Sequence, residues 1–299
     1  MVIAIAPSIE HVAVSEGTFN KMVERGIPKR LCHLVWNGID FGRATSVATS
    51  RAQVRSELSL GPEQKCFLLF GHDPERKGVD LALKAMAEIV REHPDVVLVI
   101  IGQEKMRRYV RAILGDSNPA WLRLADARET VADYYNAADF FLSPSRVEGL
   151  PYAVLEALAN RLPVAAADIP GMEWARELDA VRLCLPSYVP SLTAQIRQLL
   201  LEPAEARLAA ALRACEYVRD HHSTNTWARQ MLTLYSSLVG CAAKVLDKVE
   251  APERLALSDR LTVVTPEPPG LGGILKAHSE VAGIRSTEVI SAKPPASTA

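Results

Sequence analysis

CFLLFGHDPERKGVDLALKAMAEIVREHPDVVLVIIG, residues 66–102, contains the whole logic of the fold. CFLLFG and VVLVIIG are short, unbroken apolar runs closed by glycine. Runs of this length with no polar alternation mark strands buried on both faces. Between them, VDLALKAMAEIVREH sets Val79, Leu83, Met86 and Val90 at the spacing of one helix face, and Pro94 and Asp95 stop it. A buried strand, an amphipathic helix and a second buried strand make a parallel β-α-β unit.

The alternation continues downstream. KMRRYVRAILG reads as a helix, AWLRLAD as a strand, RETVADYYNAA as a short helix, and DFFLSPS as a strand. YAVLEALAN is a helix, LPVAAAD a strand, MEWARELD a short helix and AVRLCLP a last strand. Three helices follow, beginning at VPSLTAQIRQLLLEP, AEARLAAALRACEYVRDHH and TNTWARQMLTLYSSLVG. Upstream, Val2–Ala6 and Val12–Val14 read as strand pieces and TFNKMVERG as a short helix. HLVWNGID is a strand entering an Asn37-Gly38 turn, and SRAQVRSELSL a short helix. The fold class is α/β: a doubly wound parallel sheet with C-terminal helices and a flexible tail. Residues 1–40 are expected to be the remnant of another domain with its linker, 41–242 the Rossmann-like domain, and 243–299 a Pro-, Ser- and Thr-rich tail.

Bulk composition excludes several roles. The formal net charge of -1 supplies no global field for nucleic acid, and aromatics at 6% disfavour a stacking platform for single strands. The five cysteines are scattered, without CxxC or zinc-like spacing, and are expected to be reduced and mostly buried. No signal-like segment and no apolar stretch of membrane-spanning length is seen, so a cytoplasmic protein is expected, with a place at the membrane face left open.

The chemistry gathers in SRVEGLPYAVLEALANRLPVAAAD, residues 145–168. It sets Glu148 and Glu156 about a turn-and-helix junction between two buried strands. In an open parallel sheet, ligands bind beyond the carboxyl ends of the strands, where Glu148 falls. Gly149 permits a tight turn, and the N–H groups of residues 150–153 would face the crevice as an anion site. A second anion site is expected at GHDPERKG, where a strand ends at Gly71 and Lys77 opens a helix. Taken singly, such a glutamate is an ordinary first-turn charge and such a lysine an ordinary solvated one. Their convergence on one sheet edge suggests a diphosphate held by helix N-termini and Lys77, with sugar hydroxyls held by carboxylates.

The stretch SPSRVEGLPYAVLEALANRLPVAAAD resembles the signature of retaining GT-B glycosyltransferases, specifically glycosyltransferase family four, the group 1 transferases. FGHDPERKGVDLALKAM, VADYYNAADFFLSPSRVEGLP, HSTNTWARQMLTLYSSL and VAVSEGTFNKMVERGIPKRLCHLVWNGID share the likeness, which covers roughly residues 10–240. It implies the C-terminal donor-binding half of a GT-B fold. It implies a sugar transferred from a nucleotide diphosphate sugar to a glycan, lipid or small molecule, with retention. By matching position, Glu148, Gly149 and Leu150 would bind the donor sugar and its phosphate, and Glu156 the ribose. Lys77 would neutralise the diphosphate, Gly71 and His72 would complete the donor site, and Asp126–Glu129 would border the base. Glu148 and Lys77 are the candidate catalytic residues. No metal and no cofactor are implied; the expected partners are the nucleotide-sugar donor and a separate acceptor-domain chain or an oligomer.

Two positions depart from the family pattern: His72 stands where an arginine is usual, and Arg161 where a helix-end glycine is usual. The chain also begins at what looks like the last strand of an acceptor domain. The competing reading is therefore a catalytically inactive nucleotide-sugar-binding module, or a truncated product that needs a partner chain. An epimerase working by elimination ranks lower, because it too needs an N-terminal domain. An oxidoreductase ranks lower still, because no G-x-G-x-x-G follows a strand.

Overall fold

The computed structural model describes residues 9–116 and 118–246, with side chains to residue 239. Met1–Ser236 form one unit and Ser237–Ala299 another, of which only the end of the last helix is described. The expected strand at Val2–Ala6 lies outside the described residues.

The chain opens with a small β-α-β unit. β1 (His11–Ala13) and β2 (Cys32–Leu34) pair in parallel around α1 (Glu16–Glu24), which is capped by the Ser15 hydroxyl accepting from the Thr18 N–H. The Asn37-Gly38 turn expected after β2 does not form. The segment runs extended instead and straps to the chain just after α9: the Ile39 N–H donates to His222 O at 2.8 Å, and the Thr224 N–H donates to Ile39 O at 2.9 Å. Gly38 is required there by close approach, since a Cβ would lie 2.3 Å from the Ser223 carbonyl oxygen. Two short helices follow, α2 (Phe41–Thr45) and α3 (Arg51–Glu57).

The main sheet contains β3 (Lys65–Phe70), β4 (Val96–Ile101), β5 (Leu122–Ala125), β6 (Phe140–Ser143), β7 (Val164–Ala167) and β8 (Val181–Cys184). All its pairings are parallel, in the order β5-β4-β3-β6-β7-β8. The helices between them are α4 (Val79–Glu92), α5 (Glu104–Leu114), α6 (Ala132–Ala137) and α7 (Tyr152–Ala159). α8 (Val189–Leu201), α9 (Ala204–His221) and α10 (Thr224–Leu246) finish the fold. This is the expected doubly wound sheet. All six β4 residues are buried, which explains its uninterrupted apolar run.

Two expectations shift in detail. On α4, Ile89 rather than Val90 completes the core face with Val79, Leu83 and Met86. MEWARELD makes only a single 3-10 turn, Glu173–Ala175. Helix α10 runs to Leu246, so the tail placed at 243–299 begins within a helix; from 247 on it lies outside the described residues.

The strand order reverses between β3 and β6, which makes their junction the topological switch point. The ladder across it is short, pairing Phe67 with Phe140 and Leu68 with Phe141, and the Phe67 and Phe140 rings stack 4.5 Å apart. At the opposite end of these strands, Asp139 ties the halves together. Its carboxylate accepts from Arg51, from Arg55 and, at 2.8 Å, from the Cys66 N–H. Cys32, Cys66, Cys184 and Cys215 are free and buried, and burial pushes the Cys66 thiol up to about 12.

Arg161 occupies the left-handed region with φ 60°. Its N–H donates to Leu158 O and the Leu162 N–H to Ala157 O, the pair of bonds that closes a helix at a C′ glycine. The helix end therefore keeps the glycine-type geometry, with an arginine held in it.

Candidate functional site

Crossover connections leave β3 and β6 on either side of the switch point, and both carry charge. After β3 the chain runs Gly71, His72, Asp73 and on to Lys77, then enters α4 through Gly78, whose φ is 68°. Glycine is required at 78: a Cβ there would lie 2.1 Å from the carbonyl oxygen of Pro144, in the loop after β6. The two loops are stitched together. The Arg146 N–H donates to Arg76 O at 2.8 Å, and the Arg146 guanidinium holds Asp80 with two bonds of 2.9 and 2.8 Å.

Glu148 is the focus of this junction. Lys77 Nζ donates to its Oε1 at 2.6 Å, and Arg76 Nη1 to its Oε2 at 3.0 Å. The Lys77 and Glu148 side chains are 11% and 9% exposed, so the pair is largely withdrawn from water. Burial of this degree makes an unpaired charge costly, which explains why both cations close on one carboxylate. The Ser145 hydroxyl in the same loop is buried and has no partner among the described residues. Gly149 and Leu150 lead directly into α7, where Pro151 holds the N-cap position. The first N–H groups of α7 have no intrahelical acceptor and so remain available to an anion.

His72 neighbours this cluster. Its Nε2 lies 3.2 Å from Arg76 Nη2. Burial, together with the charges of Lys77 and Arg76, lowers its pKa below the ordinary histidine value. Asp73 receives Arg76 Nε at 3.1 Å and Lys105 at 3.2 Å. Three cations thus share two carboxylates, leaving one positive charge in excess.

Glu156 stands on the next turns of α7, in a different setting. It lines a cleft of about 720 Å³ with Tyr135, Tyr152, Arg43, Glu129 and the strap around Ile39 and Asp40. The Tyr135 hydroxyl donates to Glu156 Oε2 at 2.8 Å. Burial raises the Glu156 pKa; the Tyr135 bond and, more weakly, the Arg43 charge pull it back. Tyr135 itself is fully buried, and burial raises its hydroxyl pKa well above 10.

The expected residues thus divide into two neighbouring groups. Lys77 and Glu148 meet directly, with Gly71 and His72 on one side and Gly149 and Leu150 on the other. Neither Lys77 nor Glu148 lines the Glu156 cleft, and α7 connects the two places. Of the stretch 126–129, only Glu129 reaches the cleft. Arg128 instead pairs with Glu57 at 2.8 Å and stacks on the Tyr134 ring. Sequence reading did not single out Arg76 or Tyr135. Arg76 carried no signal of its own beside Lys77. Tyr135 had one, since a tyrosine on the buried side of a helix needs a partner for its hydroxyl. Among the described residues no cluster of three or more metal-ligating side chains occurs, and no helix is long and apolar enough to cross a membrane.

A family model described as glycosyl transferases group 1 matches residues 50–214, more than half of the chain. Among curated relatives, a D-inositol 3-phosphate glycosyltransferase of Jonesia denitrificans is 30% identical over 221 residues, covering 68% of this chain and 50% of the relative. One from Segniliparus rotundus is 29% identical over 180 residues, covering 57% and 39%. The chain spans half the length of these relatives or less. Among solved structures, a glycosyltransferase of Rickettsia africae superposes with TM-score 0.70 at 16% identity, covering 77% of this chain and 64% of that one. Anabaena Alr3699/HepE, in complex with UDP and glucose, superposes with TM-score 0.67 at 19% identity, covering 76% and 62%. The likeness to these structures is one of fold. The chain belongs to the glycosyl transferases group 1 family.

Proposed function

We propose that this chain binds a nucleoside diphosphate sugar at the β3/β6 switch point and provides the donor half of a retaining glycosyl transfer, as in glycosyltransferase family four. The observation that carries the reading is the convergence of Lys77 and Arg76 on Glu148 beside the open N-terminus of α7. The diphosphate would rest on the N–H groups at Gly149, Leu150 and the first turn of α7, with Lys77 against it. Glu148 would accept from the sugar hydroxyls, and Gly71, whose Cβ position is taken by Ile100, Met106 and Val79, would border the site through its backbone alone. Glu156, held by Tyr135 through one oxygen, keeps its other oxygen for the ribose hydroxyls, and the cleft beside it would take the base. HepE, which holds UDP and glucose in its solved complex, supports a donor of this class.

In the transfer, the bond from the anomeric carbon to the diphosphate oxygen breaks and its electron pair leaves with the diphosphate. The new negative charge develops where Lys77 and the α7 N-terminus already stand. Fixed positive groups at a developing charge lower the barrier without reorganising. The acceptor hydroxyl, from a glycan, lipid or small molecule, attacks on the face the diphosphate leaves and gives its proton to the departing diphosphate oxygen. In this reading the transfer requires no metal or cofactor beside the donor and the acceptor. A separate acceptor domain or an oligomer would close the cleft, in the cytoplasm or at the cytoplasmic face of a membrane.

One observation favours a second reading, a module that binds the donor without transferring it: His72 stands where the family pattern has a permanently charged arginine. Calorimetric titration of the chain with UDP, GDP, ADP and their sugar conjugates tests the first reading. Selective binding that Glu156→Ala and Lys77→Ala both abolish is the expected result. A folded chain that binds none of them refutes it, and binding without transfer in the presence of a complete acceptor half supports the second.

A further inference from the structure

His72 and Arg76 sit 3.2 Å apart through Nε2 and Nη2. A guanidinium can only donate, so the Nε2 lone pair must accept and the imidazole proton must lie on Nδ1. A doubly protonated ring would turn this bond into a donor-donor clash between two cations. Burial and the neighbouring Lys77 and Arg76 charges act in the same direction. His72 therefore brings no charge to the crevice. The charge at this end of the loop belongs to Arg76.

Arg76 is well placed to use it. Its Nε donates to Asp73 at 3.1 Å, Nη1 to Glu148 at 3.0 Å and to Val147 O at 3.2 Å, and Nη2 to His72. Four of its five N–H donors are thereby oriented, and one on Nη2 remains free. Lys77 spends one of its three donors on Glu148. The two side chains thus present three unused donors and two charges about a single carboxylate, next to an open helix N-terminus. Arg76 is also about one-third exposed, whereas Lys77 is nearly covered.

We propose that Arg76 is the second phosphate-binding cation of this site, and that His72 serves as a neutral acceptor that holds the Arg76 guanidinium toward the phosphates. The proposal rests on the reading of the crevice as a nucleoside diphosphate sugar site, and assigns the terminal phosphate of the diphosphate to Lys77 and Arg76 together. His72 is a positioning residue acting through Arg76.

The test uses the full chain, calorimetry, and the nucleoside diphosphate among UDP, GDP and ADP that binds best, alongside its monophosphate. Arg76→Ala should weaken the diphosphate by about tenfold or more, as expected for loss of a hydrogen bond to a charged group, and the monophosphate by less than about threefold. Arg76→Lys keeps the charge without the fork and should fall between. His72→Leu removes the acceptor and should produce a smaller loss, again confined to the diphosphate. His72→Gln offers an amide oxygen in its place and should restore wild-type affinity. A merely structural role would lower both affinities together and shift the unfolding midpoint. Equal losses for diphosphate and monophosphate, or an unchanged diphosphate affinity in Arg76→Ala, overturn the proposal while leaving the donor-site reading intact. Failure of the folded wild-type chain to bind any of the three removes the donor-site reading itself, and this proposal with it.

Discussion

The Lys77–Glu148 pair permits a double-mutant cycle whose outcome follows from its burial. Both side chains are about nine-tenths covered, and they meet at 2.6 Å. Lys77→Met leaves Glu148 with Arg76 alone, so the loss should be that of one charge-assisted bond, about 2 kcal/mol. Glu148→Gln is worse, because a nearly buried ammonium loses its anion while Arg76 stays beside it; about 3 kcal/mol is expected. With both changes present, the second removes a penalty that the first created. The double variant should then lie about 3 kcal/mol below wild type rather than at the sum of the singles, a coupling near 2 kcal/mol. Urea denaturation at unchanged m-value measures all four corners. In a chain of this size the Lys77→Met loss corresponds to a fall in Tm of roughly 4–8 °C. Additivity within about 0.5 kcal/mol would show that the pair is not coupled, and would refute the argument that burial forces it.

Other expectations follow from single positions. Gly78→Ala places a methyl 2.1 Å from the Pro144 oxygen in a left-handed backbone, and should cost at least about 3 kcal/mol and disturb nucleotide binding together with stability. Arg161→Gly relieves a left-handed arginine while freeing the unfolded chain, and should raise stability by about 0.5–1 kcal/mol with binding unchanged; a loss would show that the arginine is held there by contacts worth more than the strain. Glu156 has a raised pKa, so its contribution to stability is full at acid pH and is lost as pH rises through the folded-state value. Glu156→Gln should accordingly stabilise the fold at neutral pH while weakening nucleotide binding. In the wild type, affinity should fall on acidification with a midpoint above the ordinary carboxylate value of 4.5, and Tyr135→Phe should move that midpoint higher. A midpoint unmoved by Tyr135→Phe would mean that the tyrosine does not support the carboxylate.

The sheet was legible in the sequence because a parallel strand buried on both faces leaves a local mark: VVLVIIG is short, rich in β-branched residues and bounded by Pro94 and Gly102. α4 was readable for a similar reason, the error at Val90 being one position on a face broad enough to include Ile89. What local pattern cannot show is which side chains meet across long loops. Arg76 and Lys77 reach Glu148 over more than 70 residues, and Tyr135 reaches Glu156 over 21. Glu148 and Glu156 lie only eight residues apart, yet α7 carries Glu156 into a cleft that Glu148 does not line. Asn37-Gly38 misled because the same glycine that favours a turn also lets two backbones touch, and Ser223, the backbone it touches, is far away in sequence.

The seam between β3 and β6 has a mechanical meaning. The β3 half of the sheet is a strand-helix-strand-helix-strand unit, and the β6 half has a single 3-10 turn in place of its second helix; their strands meet at two paired positions and one aromatic stack, with the Asp139 clasp at one end. Glu148, Lys77 and Arg76 form the clasp at the other end, where the proposed ligand would lie. A molecule gripping both loops there closes the one joint in the sheet that is short of backbone bonds. Its binding energy would be felt as resistance to the halves parting, more than as rigidity within either half. On that reading, the ligand would add its stabilisation at the same joint where the chemistry is proposed.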